Sequence, residues 1–140
     1  MKILNRDLLK IEQWAIKRKV SFNPLKTKDI IFSSKINFNS PPIVFNGTFV
    51  ERVHQHRHLG VWLDSSLDWS KQISEVCKKA NCKMAVLRSV KHLGRTTLDL
   101  LYKLIIRSVI DYGLVVYFHS LKLTQVSRLS HHKSQLSQFL

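Results

Sequence analysis

Seven histidines, two cysteines and nine carboxylates are the groups in this 140-residue chain that could ligate a metal or carry acid–base and nucleophilic chemistry. Their spacing excludes most of it. His54, His56 and His58 alternate, so on a strand their imidazoles share one face. Three imidazoles on a face can bind zinc, but such triplets more often line a solvent-facing strand edge. His131 and His132 are adjacent in a polar tail. Cys77 and Cys82, five apart on a predicted helix, point to different faces and match neither a metal spacing nor a redox pair. Asp64 and Asp68 are the one close carboxylate pair, and they fall in a turn and at a predicted helix cap. No Ser–His–Asp or Cys–His arrangement and no glycine-rich phosphate loop is present. No metal site is assigned.

The charge balance points elsewhere. Lysine and arginine number 23 against 9 aspartates and glutamates, a net charge of +14. That excess attracts an anionic partner: first a nucleic-acid backbone, whose condensed counterions are released as phosphates are neutralised, and second an anionic membrane surface. A basic but merely solvated protein is the plain alternative, and the distribution of the charge weighs against it or for it. A hydrophobic fraction of 44% argues for a folded chain. The stretch 98–118 is apolar enough to be mistaken for a membrane span. It is interrupted by Asp99, Lys103, Arg107 and Asp111, a single charged stripe at four-residue spacing, which predicts a buried helix and no membrane partner. Lys2, Arg6 and Asp7 deny the N-terminus the apolar core of a signal peptide. With no disulfide framework, an intracellular setting is expected, nucleus and cytoplasm both open.

Elements must position these groups. Leu4, Leu8, Ile11 and Ala15, with Trp14 beside them, predict a helix from Ile3 to about Lys19, ended by Ser21-Phe22-Asn23-Pro24. Ile30-Ile31-Phe32 centres a predicted strand over 29–33, and 37–42 is turn-rich. Asn46-Gly47 between Ile43-Val44-Phe45 and Thr48-Phe49-Val50 specifies a type I′ hairpin with Phe45 and Phe49 exposed. Residues 57–64 read as one strand, and a turn then leads into a helix capped by Asp68 or Ser70. From Ser70 to His92, Ile73, Val76, Cys77, Ala80, Met84, Leu87 and Val90 make an apolar stripe. Lys71, Lys78, Lys79, Lys83, Arg88 and Lys91 take much of the remaining surface, and Gly94 ends the helix. The buried helix follows from Thr97, and a polar helix from Leu123 to about Gln135 closes the chain. Trp14, Trp62 and Trp69 sit beside apolar positions and are assigned to core packing rather than base stacking. Strands and helices are segregated, so the class is α+β: an N-terminal helix and small antiparallel sheet, then a helical bundle.

Four blocks carry a resemblance. Trp14 followed by Phe22-Asn23-Pro24-Leu25-Lys26-Thr27 resembles the segment after the catalytic strand of non-LTR (LINE-like) retrotransposon reverse transcriptases, where a tryptophan helix precedes Asn-x-x-Lys-Thr and an apolar strand. His58-Leu59-Gly60-Val61-Trp62-Leu63-Asp64 resembles that family's next block. Leu67-Asp68-Trp69 with a basic helix behind it is similar to the start of the family's thumb, and Tyr102 and Tyr112-Gly113 to its following helix. The blocks keep the family's order across roughly residues 8–118. His58 stands where a tyrosine or other aromatic is common, and Tyr117 where tryptophan is usual.

The resemblance implies the end of a polymerase palm over 1–66, a helical thumb over 67–119 and a weak helical tail over 120–140. It implies that Lys26, in the block called motif D, donates a proton to the pyrophosphate leaving group of an intact enzyme. Leu59 and Gly60 would belong to the primer grip, a hairpin beside the primer terminus, the glycine permitting close backbone approach. Lys71, Lys78, Lys79, Lys83, Arg88 and Lys91 would face the phosphates of an RNA/DNA template–primer duplex. The family's Tyr-Ala-Asp-Asp-like strand and its earlier aspartate are not in this sequence, so the carboxylates that hold two Mg²⁺ ions are missing. No cofactor is expected in this chain, Mg²⁺ belonging to the intact enzyme, and the missing fingers and palm are expected partners. The expected function is therefore a fragment of an RNA-directed DNA polymerase that holds the duplex and is inactive alone. The alternatives are an independent or domesticated nucleic-acid-binding module without enzymatic activity, or a non-functional relic. A fragment cut from its palm should also leave apolar surface exposed.

Overall fold

The computed structural model describes residues 2–33 and 41–139 and is α+β, as the segregation of patterns predicts. The chain divides into two compact units, Met1–His58 with Leu63–Leu67, and Leu59–Trp62 with Asp68–Leu140.

The first unit opens with helix α1, Lys2–Arg18. Lys19 turns left-handed at φ +56°, and the Val20 N–H reaches back to Ala15 O at 2.9 Å, which closes the helix. Ala15 is buried at 4% exposure, whereas Trp14 is 53% exposed, against its expected place in a core. The reason is coverage: among the described residues of this unit the helix packs chiefly on one two-residue strand, Val44–Phe45, which buries only part of the stripe. The Asn23 side chain then accepts the N–H groups of Leu25 and Lys26 and caps a 3₁₀ turn, Pro24–Lys26.

Strand β1, Lys28–Asp29, overlaps the predicted 29–33 strand only at Asp29, and Ile30–Ser33 is not strand. It pairs in parallel with β4, Glu51–Arg52, in the register Lys28↔Glu51 and Asp29↔Arg52. The ion pairs Lys28–Glu51 and Arg52–Asp29 join the same residues, so charge favours this register. Between them β2, Val44–Phe45, and β3, Thr48–Phe49, form the Asn46-Gly47 hairpin with both turn residues at positive φ, +52° and +71°. Phe45 is not exposed as expected: it is buried, with the Phe22 ring edge-on at 5.3 Å, while Phe49 stays exposed. The turn-rich stretch 37–42 falls mostly outside the described residues. Among the described residues the single small antiparallel sheet that was expected is instead three two-stranded ribbons, of which β1–β4 is parallel, and the third is β5, Gln55–His58, with β6, Val61–Asp64.

The second unit is helical. Helix α2, Ser70–Ser89, buries Ile73, Val76, Cys77, Ala80, Met84 and Leu87, the stripe the spacing predicts, and Gln72 with them. Cys77 is buried and Cys82 exposed, as five-residue spacing requires. Asp68 stands one residue outside the cap position, which Trp69 occupies, yet its carboxylate still accepts from Ser70 N at 3.3 Å and Ser70 Oγ at 3.0 Å. The Ser70 hydroxyl holds the Asp68 carboxyl below the usual carboxylate range. The helix stops at Ser89, earlier than Gly94 suggests, so Lys91 lies in the turn that follows.

The stretch expected to be one buried helix is broken. It comprises α3, Arg95–Leu101, a π-helical turn over Tyr102–Arg107, α4, Ser108–Asp111, and α5, Leu114–Tyr117. At the end of the wider turn the Ser108 hydroxyl donates to Leu104 O at 2.6 Å and Ile105 O at 3.3 Å. Leu98, Tyr102, Ile106, Ile110 and Tyr117 are buried, but Leu104 and Val115 are largely exposed. The charged stripe pairs as spaced, Lys103 with Asp99 and Arg107 with Asp111. Among the described residues no helix is long and apolar enough to cross a membrane. Helix α6, Leu123–Phe139, is longer than predicted and docks on α2. There the buried Gln125 amide donates to Asp68 Oδ1 and Ser70 Oγ, each at 3.2 Å.

Candidate nucleic-acid interface

The block His58–Asp64 contains a turn where the residue pattern alone reads as one strand and the resemblance implies a hairpin. Leu59 sits at φ +47° and Gly60 at φ +88°, so the chain reverses between β5 and β6 in two residues. Leucine carries a steric penalty in that region, which is why an apolar run of this kind reads as continuous strand. The penalty is offset by a hydrogen bond from the Tyr112 hydroxyl to Leu59 O at 2.5 Å. A Cβ on Gly60 would stand 3.2 Å from Tyr112 Cε1, and one on Gly113, at φ +68°, would stand 2.8 Å from Val61 Cγ2. The Tyr112-Gly113 corner between α4 and α5 thus seats the tip, while Gln72 Oε1 accepts the Trp62 N–H at 3.0 Å. Tyr112 and Gln72 were not among the expected site residues. Their distance in sequence from the tip hid them.

The tip presents Leu59 at 77% exposure beside α2. At about 100° per residue, Lys71 and Lys78 lie within about 20° of each other on the side opposite the buried stripe. Lys79 and Lys83 fall toward one border of that stripe and Arg88 toward the other, so the charge forms a broad arc rather than a narrow line. Lys78, Lys79 and Arg88 are exposed and Lys83 is half-buried. Lys71 places its ammonium 3.6 Å from the centroid of the Trp62 ring. Lys26 belongs to the first unit, exposed at the end of the 3₁₀ turn. His56 and His58 have ring centroids 6.4 Å apart, and no group of three potential metal ligands occurs among the described residues.

Replacing Tyr112 by Phe should cost about 1 kcal/mol, the usual worth of one hydrogen bond. Amide exchange should accelerate selectively at residues 59–61. Uniform acceleration across α2 instead would show that the hydroxyl supports the unit rather than its tip.

No protein-family model matches the chain, and no solved structure gives a significant match. The RNA-directed DNA polymerase from mobile element jockey of Drosophila funebris is 26% identical over 110 residues, covering 76% of this chain and 12% of that protein. The chain is similar to a segment of non-LTR retrotransposon reverse transcriptases. The Pol polyprotein from type-1 retrotransposable element R1 of Bradysia coprophila is 25% identical over 129 residues, 89% of this chain and 13% of its own length. The jockey polymerase of Drosophila melanogaster is 28% identical over 111 residues, 76% of this chain and 12% of that protein. The resemblance carried by the four ordered blocks is borne out, and the chain spans 12 or 13% of the relatives it matches.

Proposed function

We propose that this chain is the duplex-holding part of a non-LTR reverse transcriptase, inactive in nucleotide transfer by itself. The observation that carries this is the similarity to retrotransposon polymerases over most of the chain. The exposed arc of α2 beside a two-residue hairpin tip supports it. On this reading 1–66 is the last edge of a palm, 67–119 a thumb and 120–140 a tail packed on the thumb. Leu59 and Gly60 approach the primer strand, and Lys71, Lys78, Lys79, Lys83, Arg88 and Lys91 contact phosphates. Lys26 acts on the leaving group only when the aspartates and their Mg²⁺ are supplied by the rest of a polymerase. The parent's fingers and palm are the protein partners, and an RNA/DNA duplex the ligand.

Titration of a labelled RNA/DNA duplex at several salt concentrations tests this. Affinity should fall linearly on a log–log plot with a slope of several units, as expected for multiple phosphate contacts. Binding insensitive to salt would sink the duplex-holding role, and Mg²⁺-dependent nucleotide incorporation by the purified chain would refute its inactivity. The second reading, an independent nucleic-acid-binding module, rests on the +14 charge. It is favoured if single strands bind as tightly as duplex.

A further inference from the structure

We infer that a cavity beside the hairpin tip is a binding site for an unpaired guanine base. The cavity measures about 240 Å³, and its walls include Gly60, Trp62, Gln72, Glu75, Lys79 and Tyr112, all of the second unit. It is smaller than the roughly 300–1,000 Å³ of sites for drug-sized ligands, so it suits one ring system rather than a whole nucleotide. Trp62 and Tyr112 are its aromatic wall residues, one face of the Trp62 ring being taken by the Lys71 ammonium, so a base stacks on Tyr112 or on the other face of Trp62. Gly60 keeps the wall open, since a Cβ there would press on the Tyr112 ring at 3.2 Å.

Two charged residues define the chemistry of the ligand. Glu75 and Lys79 stand one helical turn apart on α2 and both line the cavity. Neither has an ion-pair or hydrogen-bond partner among the described residues. A carboxylate only accepts and an ammonium only donates. A planar ligand that engages both carboxylate oxygens and the ammonium offers adjacent N–H donors and, beside them, an acceptor. Guanine does so: N1–H and the N2 amino group meet the carboxylate side by side, and O6 accepts from the ammonium. Adenine and cytosine would turn a ring-nitrogen acceptor toward the carboxylate, and uracil flanks its one N–H with two carbonyls.

The site goes beyond the proposed duplex role and is tested apart from it. Nucleosides are the probes, because without phosphates they are not drawn by the +14 charge. Guanosine, inosine and adenosine are titrated against the full chain and followed by tryptophan fluorescence and by saturation-transfer NMR. Guanosine should bind at least about tenfold more tightly than adenosine, with inosine, which lacks the N2 amino group, between them. Glu75→Gln should shrink the guanosine–adenosine difference to within about twofold while the thermal midpoint stays put, and Glu75→Asp should restore part of it. Equal binding of the three nucleosides, no binding of any, or a guanosine preference that survives Glu75→Gln would overturn the assignment. The duplex titration stands or falls separately, so failure of one leaves the other readable.

Discussion

Reversing Lys78, Lys79 and Lys83 to glutamate should weaken binding to an RNA/DNA duplex by about a hundredfold or more near 0.1 M salt. Each lost phosphate contact removes roughly 0.9 from the slope of log affinity against log salt, which at 0.1 M is close to one decade of affinity per contact. Three contacts therefore approach a factor of several hundred, and the new carboxylates add repulsion. Lys83 is half-buried and sits nearest the apolar stripe, so it contributes least. The matched control is Lys10, Lys17 and Arg18 to glutamate, which changes the net charge equally on exposed positions of α1. That variant should lose far less. Equal losses from the two triples would mean that total charge drives binding and that α2 has no special part in it.

Trp69→Ala should destabilise the second unit by about 3–5 kcal/mol, the cost of emptying a buried aromatic site. Trp69 is 4% exposed, and its ring lies 5.4 Å from that of the fully buried Tyr117. A unit with ordinary marginal stability would retain little after that loss. Trp69→Phe should cost much less than Ala. It keeps most of the ring and removes an indole N–H that is buried with no hydrogen-bond partner among the described residues. Trp14→Ala, at 53% exposure, should stay within roughly 0.5–1 kcal/mol. Urea titrations followed by circular dichroism separate the three. A Trp14 variant as damaged as the Trp69 one would show that Trp14 is buried in solution.

Both results bear on where the apolar patterns of the chain lead. The stripe of α2 was legible because one long helix buries one face, and Ile73, Val76, Cys77, Ala80, Met84 and Leu87 are all covered. The α1 stripe was equally regular, yet Leu4, Ile11 and Trp14 remain exposed. Exposed apolar surface of this kind is the expectation for a fragment cut from its palm. Periodicity states which side of a helix is apolar, and the available partner decides whether that side is buried. Phe45 and Phe49 make the same point at a hairpin, since the two flank one turn and only Phe45 meets Phe22.

What the amino-acid sequence determined by itself is local or summed over the whole chain. The Asn46-Gly47 turn follows from residues that tolerate positive φ, and the ion pairs of the 99–111 stripe follow from four-residue spacing. The excess of positive charge needs no fold, and the order of the four family blocks is a property of the chain alone. The tertiary structure decided the features that rest on distant partners. Leu59 adopts its left-handed conformation with a tyrosine hydroxyl from 53 residues away accepted by its carbonyl. The 95–120 region breaks where Gly113 must pass Val61, and Glu75 and Lys79 acquire a shared cavity only when the hairpin tip closes over α2. Sterics between neighbours act within a few residues, so they can be read along the chain. A strained turn or a cavity wall depends on contacts that exist only after folding.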